Sequence, residues 1–180
     1  MLNKLLIIFI IILNNFFLFN AYSDDQINFD VSQIEVLEGG NKIIGKKRGT
    51  IKTNDGVIIN ADEFEYDKIK NVLKAKGNIT VNDKANDYVI NSENILYLID
   101  QEKIQIKGRS SSLILSNYNF KSEDLIIFRD KSILESNKPT TIIDKKNQTL
   151  YEIDKFRYFI KDEILKGNKI FIKTKFNQPF

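Results

Sequence analysis

The chain has 180 residues, no cysteine and no histidine, and 27 basic against 24 acidic side chains, a formal net charge of +3. Disulfides, zinc sites of the usual Cys/His kinds, and Cys–His or Ser–His–Asp catalysis are therefore excluded. The basic residues are scattered, and the densest cluster, Lys46-Lys47-Arg48, reads as a solvated turn rather than a nucleic-acid patch. No nucleic-acid partner, cofactor or metal is expected.

The N-terminus opens with Lys4, an apolar run from Leu5 to Leu13, the pair Asn14-Asn15 and a second apolar patch to Phe19. Ala21-Tyr22-Ser23 follows, with small residues where a signal peptidase reads, just before Asp24-Asp25. This pattern predicts a secretory signal peptide over residues 1–23, cleaved after Ser23, and one exported domain over 24–180. A membrane span would need about 20 apolar residues, and the asparagine pair interrupts the segment too early.

Beyond residue 24 the chain is rich in Ile, Phe, Tyr, Val and Thr, and its apolar residues alternate. Leu73, Ala75, Gly77, Ile79 and Val81 occupy odd positions with polar residues between them, a period of two that predicts a half-buried strand. Turn-forming clusters separate such runs: Glu38-Gly39-Gly40-Asn41, Asn54-Asp55-Gly56, Tyr66-Asp67-Lys68, Asn82-Asp83-Lys84, Asp100-Gln101-Glu102 and Lys145-Lys146-Asn147. No segment holds a helical period for three turns. The prediction is all-β.

One short pattern recurs five times: VSQIEV from Val31, ADEFEY from Ala61, SENILY from Ser92, SEDLII from Ser122 and IDKFRY from Ile153. The spacing between successive starts is constant to within a single position. A fixed period of this kind marks a stacked or rolled architecture in which each unit buries its apolar face on its neighbours. Within each copy the inward parity switches: Val57, Ile59 and Ala61 are followed by Phe64 and Tyr66, and Tyr88, Ile90 and Ser92 by Ile95 and Tyr97. Phe120 and Ser122 are likewise followed by Leu125 and Ile127. Two consecutive polar residues between inward positions amount to a one-residue bulge, which bends a strand while keeping its apolar face inside. Bent strands stacked in register make a two-layered roll with an apolar interior and open ends.

Asp62, Glu93, Glu123 and Asp154 stand at these corners, with Ser32 in the first copy. A row of acids could suggest a calcium ladder or a catalytic carboxylate pair, but both require convergence on one point. Placement once per repeat at an outer corner predicts solvated bulge residues instead, and no enzyme activity. Gly77 and Gly108 occupy matching places in the second and third copies and carry no phosphate-binding pattern around them. They read as bulges or close backbone contacts. The inward residues Phe64, Tyr66, Leu73, Ile79, Ile95, Tyr97, Ile106, Phe120 and Leu125 are either a filled core or, in an open-ended roll, the lining of a groove for acyl chains.

The second repeat, IINADEFEYDKIKNVLKAKGNITV from Ile58 to Val81, resembles the OstA-like repeat of the lipopolysaccharide transport machinery. That family includes LptA and the N-terminal domain of LptD, and LptC is related in fold. The third repeat matches more loosely through Ser92-Glu93 and Ile106-Lys107-Gly108, and the others keep the spacing and the apolar pair. The resemblance covers nearly all of residues 27–172. It implies an open antiparallel β-jelly roll that carries lipid A acyl chains in its apolar groove, in the periplasm and in association with the outer membrane. It also implies other rolls of the same type as partners, joined by edge-strand addition. The first repeat looks more like the start of an LptD periplasmic domain, so an LptD N-terminal-like module is the favoured assignment. A stand-alone LptA-like bridge and a structural roll that docks partners without lipid are the alternatives.

Overall fold

The computed structural model describes residues 27–109 and 111–175, so the expected signal segment lies outside the described residues. Among the described residues fourteen strands follow one another, with two single-turn 3-10 helices between them. They are β1 (Asn28–Leu37), β2 (Lys42–Lys52), β3 (Val57–Ala61), β4 (Glu63–Asp67), β5 (Val72–Asp83), β6 (Tyr88–Leu98) and β7 (Lys103–Lys107). Then come β8 (Ser112–Leu115), β9 (Tyr118–Ser122), β10 (Asp124–Phe128), β11 (Ile133–Ser136), β12 (Thr140–Asp144), β13 (Thr149–Phe159) and β14 (Ile164–Thr174). Every pairing is antiparallel. No helix among the described residues is long and apolar enough to cross a membrane.

The pairings reduce to a simple meander folded over on itself. β3 and β4 are the two halves of one bent strand, as are β7 and β8, β9 and β10, and β11 and β12. β1, β2, β5, β6, β13 and β14 carry both halves in a single element. One layer contains the halves 28–31, 49–52, 57–61, 79–83, 88–92, 112–115, 118–122, 140–144, 149–153 and 170–174, each hydrogen-bonded to the next. The other layer contains 33–37, 42–46, 63–67, 72–76, 94–98, 103–107, 124–128, 133–136, 155–159 and 164–168. The result is the antiparallel β-jelly roll that the repeat predicts. β1 pairs with β2 alone and β14 with β13 alone, so each of these terminal strands leaves one edge unpaired among the described residues.

The corners fall where the parity switch puts them. Ladder pairing breaks at Ser32, Asp62, Glu93, Glu123 and Asp154. β2 and β5 turn their corners differently, over the pairs Lys47-Arg48 and Gly77-Asn78. An insertion of two restores the original parity, which is why β5 reads in sequence as one uninterrupted alternation. Gly77 there has φ +76°, and a Cβ would come within 2.6 Å of Asp62 Oδ2. Gly108 is crowded in the same way by Glu93, at 2.9 Å. The corner acids serve the corners: Asp62 accepts from Asn78 Nδ2 at 2.6 Å and Arg48 Nη1 at 3.1 Å, and Asp154 pairs with Lys169 at 3.0 Å.

Candidate functional site: the apolar interior, its lip and its mouths

All nine residues expected to line the interior point into it. Phe64 and Tyr66 come from β4, Leu73 and Ile79 from β5, Ile95 and Tyr97 from β6, Ile106 from β7, Phe120 from β9 and Leu125 from β10. Cross-strand register explains how they meet. Phe64, Ala75, Ile95, Ile106 and Leu125 form one row across the second layer, and Tyr66, Leu73, Tyr97, Ile104 and Ile127 the next. Ile79 and Phe120 face them from the first layer. None of the nine is more than 5% exposed, so in this state their side chains fill the interior as a core.

Among the described residues, inward-facing apolar side chains come to the surface at the two ends of the interior. At the N-terminal mouth, Ile34 pairs with Gly45 and Val36 with Ile43, which places both on the inward face. They nevertheless remain 49% and 59% exposed, because among the described residues no strand lies beyond β1. At the C-terminal mouth Ile170 and Ile172 pair with Ile153 and Tyr151 and are likewise exposed. A cavity of about 260 Å³ sits there, lined chiefly by Tyr118, Tyr151, Tyr158, Glu163, Leu165 and Ile172. Its aromatic wall is continuous: the Tyr158 ring lies 5.8 Å from Tyr118 and 5.4 Å from Phe120. A larger hollow, about 430 Å³, lies against the outer face of the second layer beside Ile44, Lys74 and Leu96.

Opposite the corners, the turns of the two layers meet in a lip, and Arg129 clasps it shut near the middle. Its Nε donates to Asp83 Oδ2 at 2.8 Å. Its Nη1 donates to the Tyr97 hydroxyl at 2.6 Å and to the Asp55 carboxylate. Asp55 and Asp83 belong to the first layer, Tyr97 and Arg129 to the second. The guanidinium lies over the Tyr97 ring, and Glu102 stands 3.9 Å away. Burial raises the Asp83 carboxyl, but hydrogen bonds from Asn86 and Arg129 outweigh it and hold the group below its ordinary value. Asp55 shows the same balance, with Thr53, Arg129 and Tyr97 offsetting desolvation. Burial also drives the Tyr97 and Tyr88 hydroxyls upward, so both stay neutral, and Tyr97 donates to Asp55 at 3.0 Å. Sequence reasoning missed this clasp. In the other repeats the place of Arg129, counted from the corner, is taken by Glu38, Lys68, Ile99 and Ile160, so it carries no periodic signal.

These features define an antiparallel β-jelly roll with a buried apolar interior, two apolar mouths and two free edge strands. No family model and no curated protein matches the sequence. Among solved structures, the fold is similar to that of LptH from Pseudomonas aeruginosa, described as the LptA homologous periplasmic component of the conserved lipopolysaccharide transport device. The TM-score is 0.62 at 13% identity, and the match covers 69% of this chain and 96% of that one. At this identity the likeness is one of fold.

Proposed function

We propose that the chain is a periplasmic module of a lipopolysaccharide transport bridge, joined to neighbouring rolls through its edge strands. One observation carries this reading. Inward-facing apolar residues at both mouths (Ile34, Val36, Ile170 and Ile172) stay exposed beside unpaired strand edges. A strand added at either end would cover them and extend the apolar interior without a break. Unprotected edges of this kind are normally a liability; as joints they are used. The fold shared with LptH and the OstA-like second repeat point to the same role. The finer assignment, an LptD-type N-terminal domain, rests on the first repeat from Ile34 to Gly56, while the 96% coverage of LptH fits an LptA-type bridge.

On this reading lipid A acyl chains contact the inward face, Phe64, Tyr66, Ile95 and Tyr97 among others. The close packing of those residues favours a second reading, in which the filled roll docks partners and carries no lipid. Photo-crosslinking in living cells separates the two. Adducts to lipopolysaccharide from probes at Tyr66 and Ile95, with protein adducts from Ile34 and Ile172, are expected of the transport module. Protein adducts at the mouths with no lipid at several inward positions would leave docking alone.

A further inference from the structure

The lip at the C-terminal mouth repeats the Arg129 clasp with its cation missing. Asp83, Tyr97 and Glu102 each have a counterpart two repeats further along, displaced by the same amount: Asp144, Tyr158 and Glu163. The correspondence is structural as well. Asp83 accepts from the Asn86 backbone N–H at 3.1 Å and from Asn86 Nδ2 at 2.8 Å; Asp144 accepts from Asn147 in the same two ways, at 2.9 and 2.7 Å. Tyr97 pairs with Ile104 and Tyr158 with Leu165, a cross-strand pair shifted by the same two repeats. Glu102 and Glu163 both sit in the following turn at positive φ. Asp144 is 1% exposed. Yet among the described residues neither Asp144 nor Glu163 forms an ion pair. The negative field is felt locally: burial and then the Asp144 charge raise the hydroxyl of Tyr118, a residue that lines the cavity of about 260 Å³.

Register locates where the cation would come from. Arg129 follows β10, which lies two strands beyond β6 in the second layer, and its backbone N–H donates to the Glu102 carbonyl at 2.9 Å. Two strands beyond β13 is the strand that would be added to β14. We infer that the C-terminal mouth selects a partner roll whose joining strand ends in an arginine, which seats against Glu163, Tyr158 and Asp144 as Arg129 seats against their counterparts. The same register disfavours a second copy of this chain. Its own first strand aligns with β9–β10 corner to corner, Ser32 on Glu123, and so presents Glu38 where Arg129 stands. Glu38 would then face Glu163 and Asp144, like charge against like charge. The joint is thereby specific for a different protein.

This inference rests on the edge-joint reading, and the test is built to separate their failures. Because the chain has no cysteine, Gln33→Cys with Asn168→Cys gives a unique reporter: Asn168 on β14 would face Gln33 of an added first strand, as Lys107 faces Asp124. Both Glu38 and Glu163 lie on exposed turns, so charge reversal there leaves the fold intact. Glu38→Arg, and separately Glu163→Arg, should each tighten self-association about tenfold or more in sedimentation velocity. Each should also enrich disulfide-linked multimers, and the two substitutions together should return the chain to the wild-type level. Equal multimer formation in all four backgrounds would overturn the charge selection while sustaining the joint. No multimers in any background would overturn the joint, and the selection with it.

Discussion

The lip around Arg129 and the lip around Tyr158 are built from the same three residue types in the same register, yet only one is closed. In the first, a guanidinium ties two carboxylates of one layer to a tyrosine of the other. In the second, Asp144 keeps its asparagine turn, and the cavity beside it stays open. The sealed middle has β7 and β10 beyond β6 to bring the arginine into place, whereas beyond β13, on the side away from β11, only β14 stands among the described residues.

The strongest way to break the contrast is to remove the cation. Arg129→Met should destabilise the protein by about 3–5 kcal/mol, because Asp83 would be left charged and wholly buried. Asp144→Asn removes a carboxylate that accepts two hydrogen bonds from its own turn, and should cost about 1–2 kcal/mol. Urea denaturation at neutral pH gives both values. If the two variants lose the same stability, the lips are equivalent and the clasp is incidental.

Acid titration sharpens the same contrast. Asp83 and Asp55 are held below the ordinary 3.8, so the folded state binds protons less readily than the unfolded one. Their contribution is fully present above that value and is lost as pH falls through it towards the lower folded-state values. Wild type should therefore lose stability steeply below about pH 4. Arg129→Met, lacking the partner that lowers both carboxyls, should show a shallower acid limb in thermal melts between pH 7 and 3.

How much of this was open to reading in the sequence depends on period. The corners at Asp62, Glu93 and Glu123, and the inward rows through Phe64, Ile95 and Leu125, recur once in every repeat and were legible from alternation and its switch. The two-residue corner at Gly77-Asn78 was not, because an even insertion leaves parity unchanged. The clasp was least legible of all, joining residues 46 and 74 positions apart through a side chain with no equivalent in other repeats. The Asp-x-x-Asn turns at Asp83 and Asp144 were its only trace, and their correspondence shows itself only once the strands are paired. Whether the interior is a groove or a core was equally closed to sequence, since both need the same apolar residues. Packing of Tyr97 and Phe120 against the opposite layer decides it for this state.

The smallest effect tests the two tyrosines directly. Tyr97→Phe deletes a hydroxyl that donates to Asp55 at 3.0 Å and accepts from Arg129, and should cost about 1–2 kcal/mol. Tyr158 makes no hydrogen bond through its hydroxyl among the described residues, and its ring contacts survive in phenylalanine. Tyr158→Phe should therefore stay within about 0.5 kcal/mol of wild type at neutral pH. Its signature lies at alkaline pH. Burial, then the charges of Tyr118, Glu163 and Asp144, push the Tyr158 hydroxyl up to about 12 from 10.0. The folded state thus holds that proton more tightly than the unfolded one, so its contribution is complete below pH 10 and fades as pH climbs towards 12. The phenylalanine variant should lose less stability across that interval, and a partner arginine bound at the mouth should lower the wild-type hydroxyl and shrink the difference.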